Sequence, residues 1–239
     1  MIRILRANIF TSECQTLVNT VNCVGVMGAG LALEFKLRYP AMFDRYVRYC
    51  REGNLTIGKL WLYKPEPGEG TKWVLNFPTK NHWKYPSKES YLHDGLEKFV
   101  ATYSHKGIES IAFPVLGGRN GRIPEDVAID IMTGHLSACD IDVEIYRHDP
   151  TAEDDLIGAL RHAWTNVPDT ELASRTGLRR DRIAVIREAL EQHEIHTVGQ
   201  LASADGVGEK SLARVFKSGP MLMRPPDQPQ LTLPAVSGT

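Results

Sequence analysis

The chain has 239 residues, 42% hydrophobic and 24% charged, with a formal net charge of -1. That length holds one large domain or a medium domain plus a small one, and the composition supports a full-sized core. The charge balance excludes a globally basic nucleic-acid coat but leaves room for a local basic groove.

Four scattered cysteines, Cys14, Cys23, Cys50 and Cys139, include no C-x-x-C pair. No metal site and no cofactor are therefore expected, and the thiols read as reduced and mostly packed. Residues 1–6 alternate like a strand rather than opening a signal peptide, and no run is long and apolar enough to span a membrane. A cytoplasmic location without membrane partners is the expectation.

Ile2 and Ile4, with the Ile9–Phe10 pair, predict an edge or second strand, and residues 16–21 a buried one. A loop carrying Gly25, Gly28 and Gly30 follows. Leu33, Phe35, Leu37, Met42, Phe43, Tyr46 and Val47 then suit helices interrupted at Pro40. Residues 60–63 and 73–77 read as a strand pair, with turn material at 65–70 between them. Residues 91–106 have helical spacing, and 111–116 form a buried strand that runs into a second glycine loop, 117–121. Pro124 suits a helix start whose dipole Glu125 and Asp126 favour. Residues 143–146 close the unit as a last strand. Strands alternating with helices predict an α/β layered domain with a mixed sheet.

Composition changes near Pro150. Residues 171–178 and 179–193 predict two short helices around a glycine turn, and 198–216 continue as helix around Gly206 and Gly208. The proline-rich end predicts disorder. No internal repeat stands out. The expected division is 1–149, 150–218 and 219–239.

A strand, a glycine loop and a helix N-terminus make a generic anion cradle, although the glycine spacing alone equally suits a tight turn. The second loop strengthens the cradle. Both loops lie past the carboxyl ends of strands, where ligands bind in open α/β sheets, and two such edges suit an elongated ligand with a central diphosphate. Between them runs Asn76-Phe-Pro-Thr79-Lys80-Asn-His82-Trp83-Lys84-Tyr85-Pro-Ser-Lys88. Lys80, directly after the predicted strand, suits a nucleophile or an electrophilic stabiliser, and a nucleophilic role requires a lowered pKa. Three lysines interleaved with His82, Trp83 and Tyr85 form the mixture that grips single-stranded nucleic acid, although the rings equally suit packing over the core.

Residues 19–36, Arg38-Tyr-Pro40, Asn76-Phe-Pro-Thr-Lys80-x-His82-Trp83 and Pro114-x-Leu-Gly together resemble a macrodomain. More narrowly, residues 1–147 are similar to the DarG branch, antitoxins that remove ADP-ribose from thymidine in DNA. The resemblance implies a three-layer α/β/α fold followed by a small all-α segment. It implies a glycohydrolase acting on ADP-ribosylated DNA, with single-stranded DNA as the expected form, free ADP-ribose as product and a DNA ADP-ribosyltransferase toxin as partner; the alternative is a non-catalytic ADP-ribose reader or a toxin-sequestering protein. Loop 1 (Gly25, Val26, Met27, Gly28, Ala29, Gly30) and loop 2 (Leu116, Gly117, Gly118, Arg119, Asn120, Gly121) would hold ADP-ribose, with Asn8 and Ile9 at the adenine end. Lys80 would act at the anomeric carbon and Asn22 would contact the distal ribose or the base. Thr79, His82, Trp83, Lys84, Tyr85 and Lys88 would meet the DNA.

The chain departs from the family pattern at three places. Ala7-Asn8-Ile9 replaces the usual Gly-Asp, so an uncharged acceptor faces adenine. Gly121 stands where the glycohydrolase relatives carry the aspartate that partners the lysine. Arg119 replaces a glycine, either clamping the diphosphate or facing water. The segment after residue 150 is unlike the toxin-binding part of DarG proteins. Gly206-Val-Gly208 with Lys210 instead resembles a DNA-binding helix-hairpin-helix or a plain tight turn, and Arg175, Arg179, Arg180, Arg182 and Arg187 form a basic stretch opposed locally by Asp181.

Overall fold

The computed structural model describes residues 1–66 and 71–218. The expected tail and part of the turn at 65–70 lie outside the described residues. A six-stranded sheet runs in the order β1-β6-β5-β2-β4-β3. Its strands are β1 (Ile2–Ala7), β2 (Thr16–Asn22), β3 (Trp61–Tyr63), β4 (Trp73–Lys80), β5 (Ser110–Pro114) and β6 (Asp142–His148). All neighbours pair in parallel except β3, which runs antiparallel to β4, so the sheet is mixed as expected.

Period-two alternation sends side chains to opposite faces. Val18, Leu75, Phe77, Ile111, Phe113 and Ile145 pack under α3 (Glu89–Thr102) and α4 (Glu125–Leu136). Leu17, Val21, Val74 and Tyr146 pack under α1 (Gly30–Arg38) and α2 (Pro40–Arg51), whose Phe35, Met42 and Tyr46 are buried. The result is a three-layer α/β/α arrangement. Pro40 breaks the helical run by opening α2, since a proline lacks the N–H that a helix interior requires.

Two local expectations change. Ile9 and Phe10 belong to a 3-10 turn, not a strand, because the Asn8 side chain accepts the Phe10 N–H at 3.0 Å and bends the chain there. The strand predicted at 73–77 continues through Pro78 to Lys80. Its partner β3 ends opposite Asn76, leaving the proline where the sheet has only β2 beside it.

After the sheet come α5 (Ile157–Asn166), α6 (Asp169–Thr176), α7 (Arg180–Glu191), α8 (Val198–Ser203) and α9 (Glu209–Lys217). Their apolar faces meet in a separate core that also takes Leu33 and Leu37 from α1. Arg38 fastens the contact. Buried beneath Phe10, 3.8 Å from its ring centroid, it pairs with Asp154 at 3.1 Å and Asp155 at 2.6 Å. Asp154 in turn accepts the backbone N–H of Leu156, Ile157 and Val198, capping α5 and α8 together. The helical segment also contradicts the expectation of no repeat: α6 and α8 start at Asp169 and Val198, and α7 and α9 at Arg180 and Glu209, each 29 positions apart.

Candidate active site

Parallel strands place β2, β4, β5 and β6 with their carboxyl ends at one edge, and both glycine loops leave from that edge. Beneath loop 1, the paired Asn19 and Asn76 join β2 to β4 through a 3.0 Å amide hydrogen bond, and Asn19 also reaches the buried Met27 sulfur at 3.8 Å. Asn22 ends β2, and its side chain is committed to the loop. Oδ1 accepts the N–H of Val24 and Val26, Nδ2 donates to the Val26 carbonyl at 2.6 Å, and the Tyr46 hydroxyl reaches both its backbone and its side-chain oxygen. Asn22 thus clamps loop 1 from the end of β2. Val26, Gly28, Ala29 and Gly30 are exposed, Gly25 is half-buried against Val47 and Cys50 of α2, and Met27 is the buried anchor of the loop.

Loop 2 is tighter. Leu116 and Gly117 are buried, and a Cβ on Gly117 would sit 2.7 Å from Ile123 Cδ1 at a φ of +66°. Gly121 fits only because a Cβ there would meet the Ser87 hydroxyl at 2.6 Å. Gly118 is half-buried, while Arg119 and Asn120 project. Arg119 is exposed and pairs with His148 Nε2 at 2.9 Å at the end of β6. Burial, and then this guanidinium, hold the His148 pKa below its ordinary value. Glu125 and Asp126 pair with Arg147, which fits their reading as first-turn helix residues rather than partners of Lys80.

Lys80 crosses the cleft. Its ammonium donates to the Asn120 carbonyl of loop 2, while its own carbonyl accepts the Cys23 N–H of loop 1 at 3.1 Å. One residue at the end of β4 therefore ties both loops. Burial lowers the Lys80 pKa, and the positive charge of Arg122 lowers it further. Sequence reasoning missed Arg122. It is the one non-glycine residue with positive φ among the described residues, at 67°. Backbone strain of that kind concentrates at functional sites, and a side chain held in a left-handed conformation leaves no mark in the sequence.

Beyond Lys80, His82, Trp83 and Tyr85 form an outward platform. The His82 ring lies 5.6 Å from each of the other two centroids, and Lys84 Nζ sits 5.2 Å from the Trp83 ring. Trp83 is 49% exposed and Tyr85 65%, which decides against core packing. Lys88 extends the platform over Tyr91. Thr79, expected beside them, is buried in β4 instead. Ile9, expected at the adenine end, is also buried, and Asn8 accepts from Phe10 and donates to Ala152 at 3.5 Å.

Gly206, Gly208 and Lys210 are exposed on the separate helical segment. The basic stretch near them is largely neutralised by the fold, since Arg175 pairs with Glu171, Arg187 with Asp169, and Arg179 and Arg182 with Asp181. No group of three potential metal ligands occurs among the described residues, and no helix there is long and apolar enough to cross a membrane.

A mixed six-stranded sheet between helical layers, with two glycine loops facing a lysine across one edge, defines the protein as an α/β domain of three layers. The Macro domain family model matches residues 18–132. The macrodomain of Mycobacterium tuberculosis DarG is 39% identical, and the match covers 61% of this chain and 97% of that structure with a TM-score of 0.58. The chain belongs to the macrodomain family. Thermosipho africanus DarTG, solved in complex with ADP-ribose, is 34% identical with a TM-score of 0.59, covering 62% of this chain and 41% of that one. A Mycobacterium bovis DNA ADP-ribosyl glycohydrolase is 42% identical over 140 residues, 58% of this chain and 40% of the relative. The chain thus spans about two-fifths of the length of the curated relatives it matches.

Proposed function

We propose that this protein is a DNA ADP-ribosyl glycohydrolase that cleaves the bond between ADP-ribose and a nucleobase, with thymine as the expected base. The observation that carries the reading is Lys80, an amine of lowered pKa held between the two glycine loops. A module that only reads ADP-ribose has no use for such an amine. In this reading the loops hold the diphosphate and distal ribose. Cleavage breaks the bond from the anomeric carbon to the base nitrogen, which leaves with the electron pair and takes a proton. The oxocarbenium-like carbon is captured by neutral Lys80 or by a water that Lys80 orients, and water completes hydrolysis to free ADP-ribose.

The exposed ring platform suits stacking of bases from single-stranded DNA beside the adduct. The relation to a transferase–glycohydrolase fusion protein of Thermosipho africanus supports an antitoxin context, with a DNA ADP-ribosyltransferase as counterpart. In the same reading, residues 1–149 are the catalytic macrodomain and 150–218 a docked helical module.

An oligonucleotide bearing ADP-ribosylated thymidine tests the proposal. The wild type is expected to release free ADP-ribose, and Lys80→Ala to lose release while retaining ADP-ribose binding. Binding without release by the wild type would instead leave a reader. Release by Lys80→Ala at the wild-type rate would remove the lysine from the chemistry.

A further inference from the structure

The helical segment is a duplication whose two halves have diverged in charge. The 29-position offset that relates α6 to α8 and α7 to α9 also matches Leu172-Ala173-Ser174 with Leu201-Ala202-Ser203. It matches the left-handed Gly177 (φ 66°) with Gly206 (φ 77°), and the buried Leu178, Ile183 and Ile186 with Val207, Leu212 and Val215. The copies grip each other reciprocally. Arg214 of the second donates to the Gly177 carbonyl of the first, and Arg182 of the first donates to the Gly206 carbonyl of the second, both at 3.0 Å.

Such an arrangement makes two equivalent concavities, each between one copy's glycine turn and the other copy's second helix. One is lined by Val185, Glu188, Ala189, Asp205 and Gly206, with Gln192. The other is lined by the residues 29 positions away, Arg214, Lys217, Ser218, Thr176 and Gly177, with Arg175. Equivalent in fold, they are opposite in charge. Glu188 and Asp205 mark the first, whereas Arg175, Arg214 and Lys217 mark the second. Glu171 pairs with Arg175, but Arg214 and Lys217 make no ion pair among the described residues. Packing explains the shape they share and not the sign they do not. In a chain of net charge -1, two cations without an ion pair, next to a third that has one, are a local feature of one copy. A guanidinium fork beside a mobile ammonium is the pairing that neutralises phosphodiester oxygens, and neither group here is arranged to read bases.

We propose that the Arg175–Arg214–Lys217 concavity is a backbone site for DNA, gripping neighbouring phosphodiesters of the strand whose adduct the macrodomain processes. The site rests on the glycohydrolase reading for the identity of its nucleic acid. It places the main grip at the first glycine turn, not at the Gly206–Gly208 turn that the sequence singles out. Because α1 both opens from loop 1 and lends Leu33 and Leu37 to the helical core, a strand held there is fixed relative to the cleft.

The test uses the full chain and unmodified mixed-sequence DNA, duplex and single-stranded, over a salt series, with ADP-ribose affinity and thermal unfolding measured in parallel. The double variant Arg214→Gln/Lys217→Gln is expected to bind duplex DNA about tenfold more weakly at 0.1 M salt. Its log–log salt slope should be shallower by about 1.8, roughly 0.9 for each phosphate no longer neutralised. ADP-ribose affinity should not change. The counterpart variant Glu188→Gln/Asp205→Asn is expected to keep wild-type affinity or bind more tightly. Lys217→Gln alone, whose ammonium makes no hydrogen bond among the described residues, covers the case in which breaking the Arg214–Gly177 hydrogen bond unfolds the segment; its slope should fall by about 0.9.

Unchanged affinity and slope in a folded variant would overturn the inference, as would equal weakening in the counterpart. Displacement of DNA by poly-glutamate at equal charge concentration would overturn it in favour of an acidic protein. The DNA carries no ADP-ribose, so the two readings fail separately. An inactive protein that needs Lys217 for DNA keeps this site and loses the glycohydrolase reading, while an active one indifferent to Lys217 does the reverse.

Discussion

Arg122→Gly should make the protein more stable and, at neutral pH, slower. The residue occupies the left-handed region at φ 67°. That conformation costs an L side chain about 1–2 kcal/mol. Glycine returns roughly 0.4–1 kcal/mol of this through the greater freedom of its unfolded chain. The Arg122 N–H bonds to the Gly118 and Arg119 carbonyls, at 3.2 and 3.3 Å, survive the change. A net gain of about 0.5–1 kcal/mol is expected, raising Tm by about 1–4 °C for a chain of this size. The same change removes a positive charge that, second to burial, lowers the Lys80 pKa. The Lys80 pKa therefore rises, less neutral amine is present at pH 7, and the rising limb of the pH–rate profile moves to higher pH. Rates should converge with wild type at alkaline pH, where both lysines are neutral. Thermal melts together with ADP-ribose release from a modified oligonucleotide across pH check both effects. An unmoved limb would show that Lys80 does not act as a neutral amine under the field of Arg122. A Tm lower by several degrees would show that the guanidinium holds loop 2 in place.

Trp83→Ala and Tyr85→Ala should each weaken single-stranded DNA binding by about 1–3 kcal/mol per base no longer stacked, leaving ADP-ribose affinity intact; fluorescence anisotropy with a short oligonucleotide measures it. Burial pushes the Glu34 carboxyl up to about 7, against the opposing pull of Arg38, from an ordinary value near 4.5. The folded protein then holds a proton that the unfolded chain has lost, so stability falls as pH rises from about 4.5 through about 7. Glu34→Gln should therefore raise Tm at pH 8 and change it little at pH 5, and equal shifts at both would refute the burial argument. Gly199→Ala would place a Cβ 2.4 Å from Glu34 Oε1, where α8 lies against α1. Overpacking of that kind costs about 1–3 kcal/mol, and denaturant melts should show it.

Local chemistry determined much of this protein before any packing was considered. Short apolar runs at 16–21 and 111–116 identify buried strands, Pro40 separates two helices, and glycines after strands mark the loops, because steric and hydrogen-bonding limits act over a few neighbouring residues. The motif around Lys80 also carries its own chemistry, since cations and rings at close spacing need little help to form a platform. The tertiary structure decided what depends on residues far apart. It extended β4 to bring Lys80 between the loops, tied the Asn22 amide to loop 1, and set Arg122 beside the lysine. It buried Thr79 and Ile9, and it cancelled most of the basic stretch with acids such as Asp169 and Glu171. The duplication lay in the sequence throughout, in Leu-Ala-Ser at 172–174 and 201–203. Only the shared core showed that these are two copies of one hairpin, because charge had diverged where burial did not constrain it. Burial preserves apolar identity, whereas solvent screens surface charge and lets it change, so the buried half of a repeat outlasts the half that meets a ligand.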